Sequence, residues 1–259
     1  MADFVKPKKH LGQHFLKDFG IAKLIVDALS PQTESLLEIG AGTGVLTQFI
    51  LEKNYSDFKI IEIDTESVDY LKKHFKAIEN NIIIGDFLRL ELDKIFPSSF
   101  SIIGNFPYNI SNQILFSVYE NRNQVEQVIG MFQKEVAERI AAKPGSKTYG
   151  ILSVLLQAYY DIDYLFTVNE EVFNPPPKVK SGVIRLLRNS IDKLECDEFL
   201  FKTVVKTAFN QRRKTVGNAL KSIGAKDWPE EYKDLLNKRA EQLNVSDFVL
   251  LTNLASNRS

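Results

Sequence analysis

The tetrapeptide Asn105-Phe106-Pro107-Tyr108 directly follows an apolar run, FSIIG at 100–104, whose composition predicts a buried strand. An amide oxygen and a backbone carbonyl at a strand end can accept hydrogen bonds from an exocyclic amine. The amine of adenine is a poor nucleophile because its lone pair is delocalised into the ring. Two acceptors would draw the nitrogen toward a tetrahedral shape and stabilise the positive charge that develops on it. We therefore predict that Asn105 and the carbonyl of Phe106 or Pro107 activate an amine.

Pro107 and Tyr108 add to this predicted site. Proline fixes its own φ and stiffens the turn that aims the acceptors, and the ring of Tyr108 offers a face on which a base can stack. No general base is required, because the amine becomes a cation in the transition state and can lose its proton afterwards. The alternative is a proline-containing turn with a structural asparagine.

A glycine-rich turn follows another predicted strand. The segment LLEIGAGTGVLT places Gly40, Gly42 and Gly44 between a strand and a helix, where glycine lets the backbone turn sharply and approach a ligand. Dinucleotide-binding folds use G-x-G-x-x-G to hold a pyrophosphate. Here the spacing is G-x-G-x-G after an acid, Glu38, which is the pattern associated with S-adenosylmethionine. A plain tight turn is the alternative.

Two further acids end the next predicted strands. Glu62 lies about 20 residues after the glycines, where a carboxylate can accept both hydroxyls of a ribose. Asp86 ends the third strand and could accept a hydrogen bond from the cofactor's adenine amine. An exposed charge at a strand end is the alternative for each. Because open α/β sheets bind ligands at the carboxyl ends of their strands, the three ends together favour a cofactor site.

Short apolar runs alternate with helix-length segments, which is typical of βαβ units in a doubly wound parallel sheet. The predicted strands are 35–39, 59–63, 81–85, 100–104, 128–132, 164–168 and 182–187. The predicted helices are 19–29, 43–53, 66–76, 111–121, 134–142, 149–160, 197–210, 213–223, 230–237 and 246–255. With a linker at 189–197, we predict an α/β domain at 1–188 and a small all-helical domain at 189–259.

Composition is that of an ordinary globular chain, with 44% apolar and 25% charged residues. The lone cysteine, Cys196, excludes an intramolecular disulfide, and three scattered histidines lack zinc-site spacing. No stretch approaches about 18 consecutive apolar residues, and the N-terminus lacks an apolar leader. We expect no metal, no membrane contact and a cytoplasmic location.

The net charge of zero conceals an uneven distribution. From Lys202 to Lys226 the chain has seven basic residues and no acidic residue. Such a run favours contact with nucleic-acid phosphates, with a solvated helix start as the alternative. We predict that the RNA backbone is bound by Arg212, Arg213 and Lys214, and by Lys178, which could equally be solvated.

Nearly the whole chain resembles the ribosomal RNA adenine N6,N6-dimethyltransferases, and among them the bacterial small-subunit enzymes. The resemblance rests on KKHLGQHFL (8–16), LEIGAGTGVLT (37–47), IEID (61–64), GDFL (85–88), GNFPYNIS (104–111), MFQKEVAERI (131–140), FNPPPKVKSGVIRL (173–186) and FNQRRKTVGNAL (209–220). It implies a Rossmann-like class I fold and S-adenosylmethionine as methyl donor. It also implies transfer of two methyl groups to each of two adjacent adenines in the 3′-terminal hairpin loop of 16S rRNA. We expect a monomer that acts on a pre-30S particle, with an assembly-checkpoint role as a further expectation.

The resemblance also implies roles for individual residues. His14 and Leu16 would close over the cofactor, which would be lined by Gly40, Gly42, Glu62, Asp86 and Asn105. Tyr108 and Phe173 would sandwich the flipped adenine, and for Phe173 a plain hydrophobic anchor is the alternative. The chain departs from the usual family pattern at three positions. Asn is usual at His14, Leu at Phe106 and Pro at Ala41, and the change at Phe106 matters little if only its carbonyl is used.

Three other functions fit parts of the sequence. A macrolide-resistance type dimethyltransferase of large-subunit rRNA would use the same chemistry, although FNPPPKVKSG and QRRKT favour the small-subunit enzyme. A non-catalytic RNA-binding assembly factor could share the fold, but the intact Asn105 and Tyr108 favour catalysis. An NAD oxidoreductase is disfavoured by the glycine spacing.

Overall fold

The computed structural model describes residues 4–223 and 228–256, so Lys226, the last cation of the basic run, lies outside the described residues. The described residues fall into two compact units. The first is drawn from Met1–Ala137 and Ile162–Arg188, the second from Glu138–Asp161 and Asn189–Ser259. The division at residues 188 and 189 stays a prediction. Residues 138–161 group with the C-terminal residues because the Tyr159 hydroxyl donates to Glu198 at 2.7 Å and the backbone N–H of Asn189 donates to the Tyr159 carbonyl at 3.0 Å.

The strands lie close to their predicted positions, with a two-residue pair in addition. They are β1 Phe15–Leu16, β2 Ser35–Ile39, β3 Asp57–Glu62, β4 Ile82–Ile84, β5 Phe100–Asn105, β6 Val125–Gln133, β7 Tyr160–Val168, β8 Phe173–Asn174 and β9 Ser181–Arg188. Within the described residues, seven of them form one sheet in the order β4-β3-β2-β5-β6-β9-β7, and β1 pairs with β8.

The sheet is mixed, whereas the sequence predicted a parallel one. The pairs β4–β3, β3–β2, β2–β5 and β5–β6 are parallel as predicted. The strand β9 pairs with β6 in the antiparallel direction, from Gln127 opposite Leu187 to Gln133 opposite Ser181. An apolar run such as GVIRLL indicates a strand but carries no information about its direction, so this pairing could not be predicted from the pattern.

The helices confirm the predicted alternation, with several shorter than expected. They are α1 Phe19–Asp27, α2 Thr47–Leu51, α3 Thr65–His74, α4 Ser111–Glu120, α5 Lys134–Ala141, α6 Ile151–Gln157, α7 Glu198–Asn210, α8 Val216–Ala219, α9 Lys233–Leu236 and α10 Val245–Ser256. The helix predicted from residue 43 begins only at Thr47, because Gly44 has a φ of 77° and cannot continue a right-handed helix. Short 3₁₀ turns at Leu220–Ile223 and Glu230–Tyr232 replace parts of two other predicted helices.

The central strands are buried on both faces, because consecutive residues of β2 and β5, which point to opposite faces, are buried. Leu36, Ile102 and Ile129, on the adjacent strands β2, β5 and β6, have no exposed surface. Such strands appear in sequence as continuous apolar runs, which is why their positions could be predicted. The carboxyl ends of the parallel strands lie at one edge of the sheet. The polar side chains of Glu62, Asp86 and Asn105 lie at this edge.

Candidate active site

A cavity opens at the carboxyl ends of β2, β3, β4 and β5, where it is bordered by residues 11–15 of the N-terminal segment. Its lining contains every predicted cofactor residue except Leu16, namely His14, Gly40, Gly42, Glu62, Asp86 and Asn105. The predicted amine-activating residues Phe106, Pro107 and Tyr108 line the same cavity. The topology therefore brings the two sequence motifs together in one site, which we call the first cavity.

Gly40 provides a cradle for a ligand in the first cavity. Its φ is 71°, and a Cβ at this position would meet no protein atom within 4 Å. The backbone N–H of Gly40 donates to the Ile61 carbonyl at 2.8 Å, which holds the turn against β3. A side chain here would therefore be strained and would project into the cavity rather than into protein. The backbone is exposed to a ligand because glycine occupies this position.

Glu62 is a buried carboxylate at the wall of the first cavity, with 3% of its surface exposed. Its Oε2 accepts the backbone N–H of Gly42 at 2.9 Å, and its Oε1 accepts that of Asp64 at 2.9 Å. Burial raises the pKa of Glu62, while the two backbone N–H groups oppose the shift. Each oxygen retains a second lone pair, so the group can still accept hydrogen bonds from a ribose.

Asp86 also lines the first cavity, two residues after the end of β4. Its Oδ1 accepts the backbone N–H of Leu88 at 3.0 Å, which caps the short turn Phe87–Arg89. Its Oδ2 lies 3.5 Å from Nε of Arg89. The carboxylate is thereby held at the cavity with acceptor capacity left for an amine.

Asn105 has its amide orientation fixed by the N-terminal segment. Its Nδ2 donates to the His14 carbonyl at 2.9 Å. With the nitrogen engaged, Oδ1 is the atom of this amide that can accept a hydrogen bond in the cavity. The acceptor mechanism requires this arrangement, in which Nδ2 donates to the protein and Oδ1 is left to accept from an amine.

Phe106 anchors the backbone on which Asn105 sits. Its ring is 1% exposed and packs 4.9 Å from that of Phe132, between centroids. A Cβ at Gly104 would lie 2.6 Å from the Phe106 ring, so glycine is needed there to admit it. The Phe106 N–H donates to the Met131 carbonyl at 3.1 Å. The side chain is structural, as the sequence analysis allowed, and the backbone is the functional part.

The two carbonyls that the sequence left open are not equivalent. The Pro107 carbonyl already accepts the N–H of Ile110 at 3.2 Å and the hydroxyl of Ser111 at 3.1 Å. Both bonds belong to the turn that leads into α4. The Phe106 carbonyl is therefore the better second acceptor for an amine.

Tyr108 lies at the junction of the first cavity and a second one. Its hydroxyl is hydrogen-bonded to Oγ of Ser181 at 2.6 Å. Burial raises the pKa of Tyr108, with the Ser181 hydrogen bond opposing the shift, so the phenol is neutral near pH 7. The second cavity is lined by Pro7, Lys9, Gly12, Gln13, His14, Tyr108, Gln133, Pro175, Pro176, Pro177, Lys178 and Val179. The predicted RNA-binding residue Lys178 thus lines the same cavity as Tyr108.

The N-terminal segment is fastened by a set of residues that the sequence analysis missed. Asp64, which is 2% exposed, forms an ion pair with Lys8 and accepts Nε2 of Gln13 at 3.0 Å. Burial opposes ionisation of Asp64, but Lys8 and Gln13 outweigh it and hold its pKa below the usual range. No local pattern could reveal these contacts, since more than fifty residues separate the partners. Asp64 also accepts the N–H of Glu66 at 3.1 Å as the N-cap of α3.

Two predicted site residues belong to the core instead. Leu16 and Phe173 lie opposite each other in the β1–β8 pair and are 4% and 1% exposed. Both pack in a hydrophobic cluster with residues such as Ile103 and Val183. A side chain as buried as Phe173 cannot stack on a base where it lies, so the plain hydrophobic anchor describes its position. Leu16 lines a small cavity with Gly40 and Asn105 and another with Lys17 and Gly44, but it does not line the first cavity.

Glu38, the acid of the glycine motif, is also structural. It is 1% exposed and accepts the hydroxyl of Thr47 at 2.7 Å. Burial raises its pKa to about 8, although the Thr47 hydrogen bond opposes the shift. The bond fastens the end of β2 to α2 and thereby fixes the turn between them.

The predicted cations of the second unit differ in their surroundings. Arg212 donates to the Lys147 carbonyl and lies 3.6 Å from Glu241, measured from its Nε. These contacts give Arg212 a structural role, and its binding of RNA stays a prediction. Arg213 and Lys214 are exposed in the turn that follows α7.

Comparison with known proteins identifies relatives over almost the entire chain. The family model described as ribosomal RNA adenine dimethylase matches residues 5–257. A protein of Parabacteroides distasonis named ribosomal RNA small subunit methyltransferase A is 58% identical over 96% of this chain and 93% of its own. A protein of the same name from Cytophaga hutchinsonii is 57% identical over 98% and 99%.

Two solved structures share the fold. A dimethyladenosine transferase from Plasmodium falciparum superposes with a TM-score of 0.77 and 26% identity, over 94% of this chain and 98% of its own. A 23S rRNA methyltransferase, ErmE, gives a TM-score of 0.71 and 22% identity, over 92% and 99%. These matches confirm the predicted Rossmann-like class I methyltransferase fold with a helical C-terminal part.

Two further findings concern the described part of the chain. No helix there is long and apolar enough to cross a membrane. Within 4–223 and 228–256, no group of three or more His, Cys, Asp or Glu side chains is arranged to hold a metal ion.

Proposed function

The chain belongs to the ribosomal RNA adenine dimethylase family, and from that premise we propose that it methylates N6 of two adjacent adenines in the 3′-terminal hairpin loop of 16S rRNA. It is an S-adenosylmethionine-dependent rRNA adenine dimethyltransferase. The small subunit is the substrate named for relatives 57–58% identical to it. The names of these relatives do not specify a position in the RNA, so the hairpin loop and the pair of adenines are what we propose beyond them.

The first cavity fits the cofactor. Gly40 leaves room at its wall for a ligand, and Glu62 and Asp86 present carboxylates from neighbouring strand ends. These residues would hold the ribose and the adenine of S-adenosylmethionine, respectively. When bound, this cofactor supplies a methyl group on a sulfonium, which is a good leaving group.

The observation that carries the proposal is the hydrogen bond from Asn105 to His14. It directs Oδ1 of Asn105 to act as an acceptor, with the Phe106 carbonyl as the second acceptor nearby in the chain. Together they would hold the two protons of an adenine amine and stabilise the cation that forms on nitrogen. Tyr108 would support the base by stacking. Preorganised groups of this kind are worth about 10²–10³ in rate.

The alternatives are less well supported. A large-subunit enzyme would use the same site, but the 23S rRNA methyltransferase is only 22% identical and shares the fold alone. A non-catalytic assembly factor would not need the amide of Asn105 held in the acceptor orientation. An oxidoreductase is excluded by membership of the family.

The setting of the reaction completes the proposal. We propose that the substrate is small-subunit rRNA within a pre-30S particle, that the enzyme acts as a monomer in the cytoplasm, and that it also serves as an assembly checkpoint. The exposure of four cations, Arg212, Arg213, Lys214 and Lys178, supports the RNA part of this proposal, because exposed cations can bind the phosphates of an RNA backbone.

The substrate can be decided by offering both subunits to one enzyme. Small and large subunits that lack adenine dimethylation are incubated separately with the protein and S-adenosylmethionine labelled on the methyl group. Label should enter 16S rRNA, and primer extension should stop at positions in the 3′-terminal hairpin loop. Incorporation into large-subunit RNA instead would show that the macrolide-resistance type alternative is correct.

A further inference from the structure

The first and second cavities share a narrow set of wall residues. Gly12, Gln13, His14 and Tyr108 line both, and among these four His14 and Tyr108 contribute aromatic rings. The second cavity also has cations at Lys9 and Lys178, both exposed, together with the rigid run Pro175–Pro177. A nucleotide whose phosphates met these cations would have its base directed toward Tyr108.

The ring of His14 covers one face of Tyr108, where both residues line the two cavities. The two rings are stacked, with centroids 5.5 Å apart and an interplanar angle of 27°. Stacked aromatic pairs have centroids about 4.5–7 Å apart, so this spacing is that of a single pair. It leaves no layer for a base between the two rings.

The backbone and the ring of His14 are held by separate partners. The His14 carbonyl accepts Nδ2 of Asn105 at 2.9 Å, and Nδ1 of the ring is hydrogen-bonded to the Pro175 carbonyl at 2.7 Å. The ring can therefore turn about its side-chain torsions while the carbonyl continues to orient Asn105. One hydrogen bond and one stacked pair are a modest restraint, of the size that an incoming base can replace.

We propose that His14 is a gate between the two cavities, whose ring must leave the face of Tyr108 before the target adenine can stack there. This inference rests on the proposed function, since it takes the substrate to be a purine base at Tyr108. The gate keeps the first cavity closed toward the second until an adenine competes for the same face. His14 is thus a specificity-determining residue that acts on base entry and not on methyl transfer.

Two substitutions separate the ring from its hydrogen bond. His14→Asn removes the ring but keeps a nitrogen donor near the position of Nδ1. His14→Phe keeps a ring for Tyr108 but loses the hydrogen bond to Pro175. Neither changes the backbone carbonyl that binds Asn105, and thermal melting within a few degrees of the wild type checks that both variants fold.

The direct readout is binding of adenosine 5′-monophosphate, measured by calorimetry with S-adenosylhomocysteine at saturation so that the cofactor site is filled. The gate predicts that His14→Asn binds the nucleotide at least about threefold more tightly than the wild type, the worth of removing one stacking competitor. His14→Phe should bind less tightly than His14→Asn. In methylation assays, His14→Asn should lower KM for RNA by a larger factor than it changes kcat.

Other outcomes overturn the gate. If His14→Asn binds the nucleotide more weakly while His14→Phe matches the wild type, the ring supports the base instead of blocking it. Equal nucleotide affinity in all three proteins would mean that the ring does not compete with a base. Weakened cofactor affinity in both variants without a change in nucleotide affinity would make His14 a cofactor contact only. Because nucleotide binding needs no turnover, a wild type that fails to methylate rRNA would refute the proposed function and leave the gate to be judged by affinity alone.

Discussion

Two contacts define what Asn105 can do at the scale of one residue. The side-chain Nδ2 of Asn105 donates to the His14 carbonyl at 2.9 Å. The next residue, Phe106, is buried and holds the backbone of Asn105 in place. The sequence predicted the acceptor role from the position of Asn105 at a strand end. It could not choose between the Phe106 and Pro107 carbonyls, because that choice depends on hydrogen bonds from Ile110 and Ser111 to Pro107.

Burial sets two of the predicted site residues apart from the others. Leu16 and Phe173 were assigned to the site by resemblance, yet both lie in the core. Their burial results from the pairing of β1 with β8, two strands of two residues each that no periodicity could reveal. Lys8, Gln13 and Asp64 were missed for a related reason, since ion pairs between distant segments leave no local signature.

Glu38 gives a prediction about stability and pH. Its pKa in the folded protein, about 8, lies above the ordinary value of 4.5. The neutral form is favoured by the fold, so its contribution to stability is complete below pH 4.5 and is lost as the pH rises through about 8. Glu38→Gln keeps an acceptor for Thr47 and cannot ionise. We therefore expect the Tm of the wild type to fall relative to that of Glu38→Gln as the pH rises from 4.5 to about 8 in thermal melts. Parallel pH dependences of Tm for the two proteins would show that ionisation of Glu38 does not destabilise the fold.

At the scale of elements, the N-terminal segment is held in place by the contacts of Asp64 with Lys8 and Gln13. Asp64 fastens residues 8–13, while its backbone N–H donates to Glu62 at 2.9 Å. The same residue therefore links the segment that borders the first cavity to the carboxylate proposed to bind the ribose. Loss of the Lys8 ion pair should loosen the segment without disturbing the sheet.

Asp64→Asn tests this link, because asparagine can still cap α3 but cannot form the ion pair. We expect cofactor Kd to rise about fivefold, the equivalent of roughly 1 kcal/mol, with kcat at saturation little changed. Lys8→Met should have the same effect, and the double variant should be no worse than either single one. Calorimetric titration with S-adenosylhomocysteine measures all four proteins. Additive losses in the double variant would show that the two residues act independently.

Elements were predicted best where burial on both faces gives a continuous apolar run. The strands β2 and β5 begin at the predicted residues for this reason. Strand direction, by contrast, is set by tertiary pairing, and β9 was the case in which a parallel sheet was wrongly expected. Turn residues shortened helices that amphipathic patterning had extended, as the positive φ of Gly44 did before α2.

At the scale of the whole molecule, charge is concentrated where phosphates could bind. The net charge is zero, but the run from Lys202 to Lys221 has no acidic residue. Arg213 and Lys214 are exposed within it, whereas Arg212 is partly engaged by Glu241. Of the three predicted cations, Arg213 and Lys214 should therefore contribute more to RNA affinity than Arg212, which has protein partners.

Reversing Arg213 and Lys214 to Glu should weaken RNA binding and flatten its salt dependence, by about 0.7–0.9 in slope for each phosphate that the variant no longer neutralises. Lys233→Glu is the matched control, because Lys233 is in the same unit but pairs with Glu230 outside the acid-free run. Binding of small-subunit RNA is measured at several salt concentrations. An unchanged slope in the double variant would assign the two side chains to solvent.

Nucleoside analysis tests the central claim most directly. Small subunits lacking the modification are incubated with S-adenosylmethionine and either the wild type or Asn105→Ala, and the digested 16S rRNA is analysed by mass spectrometry. The account predicts N6,N6-dimethyladenosine with the wild type and a rate about 10²–10³ lower with Asn105→Ala, while cofactor affinity changes by less than about tenfold. Undiminished dimethyladenosine formation by Asn105→Ala, or a methylated nucleoside other than adenosine with the wild type, would contradict it.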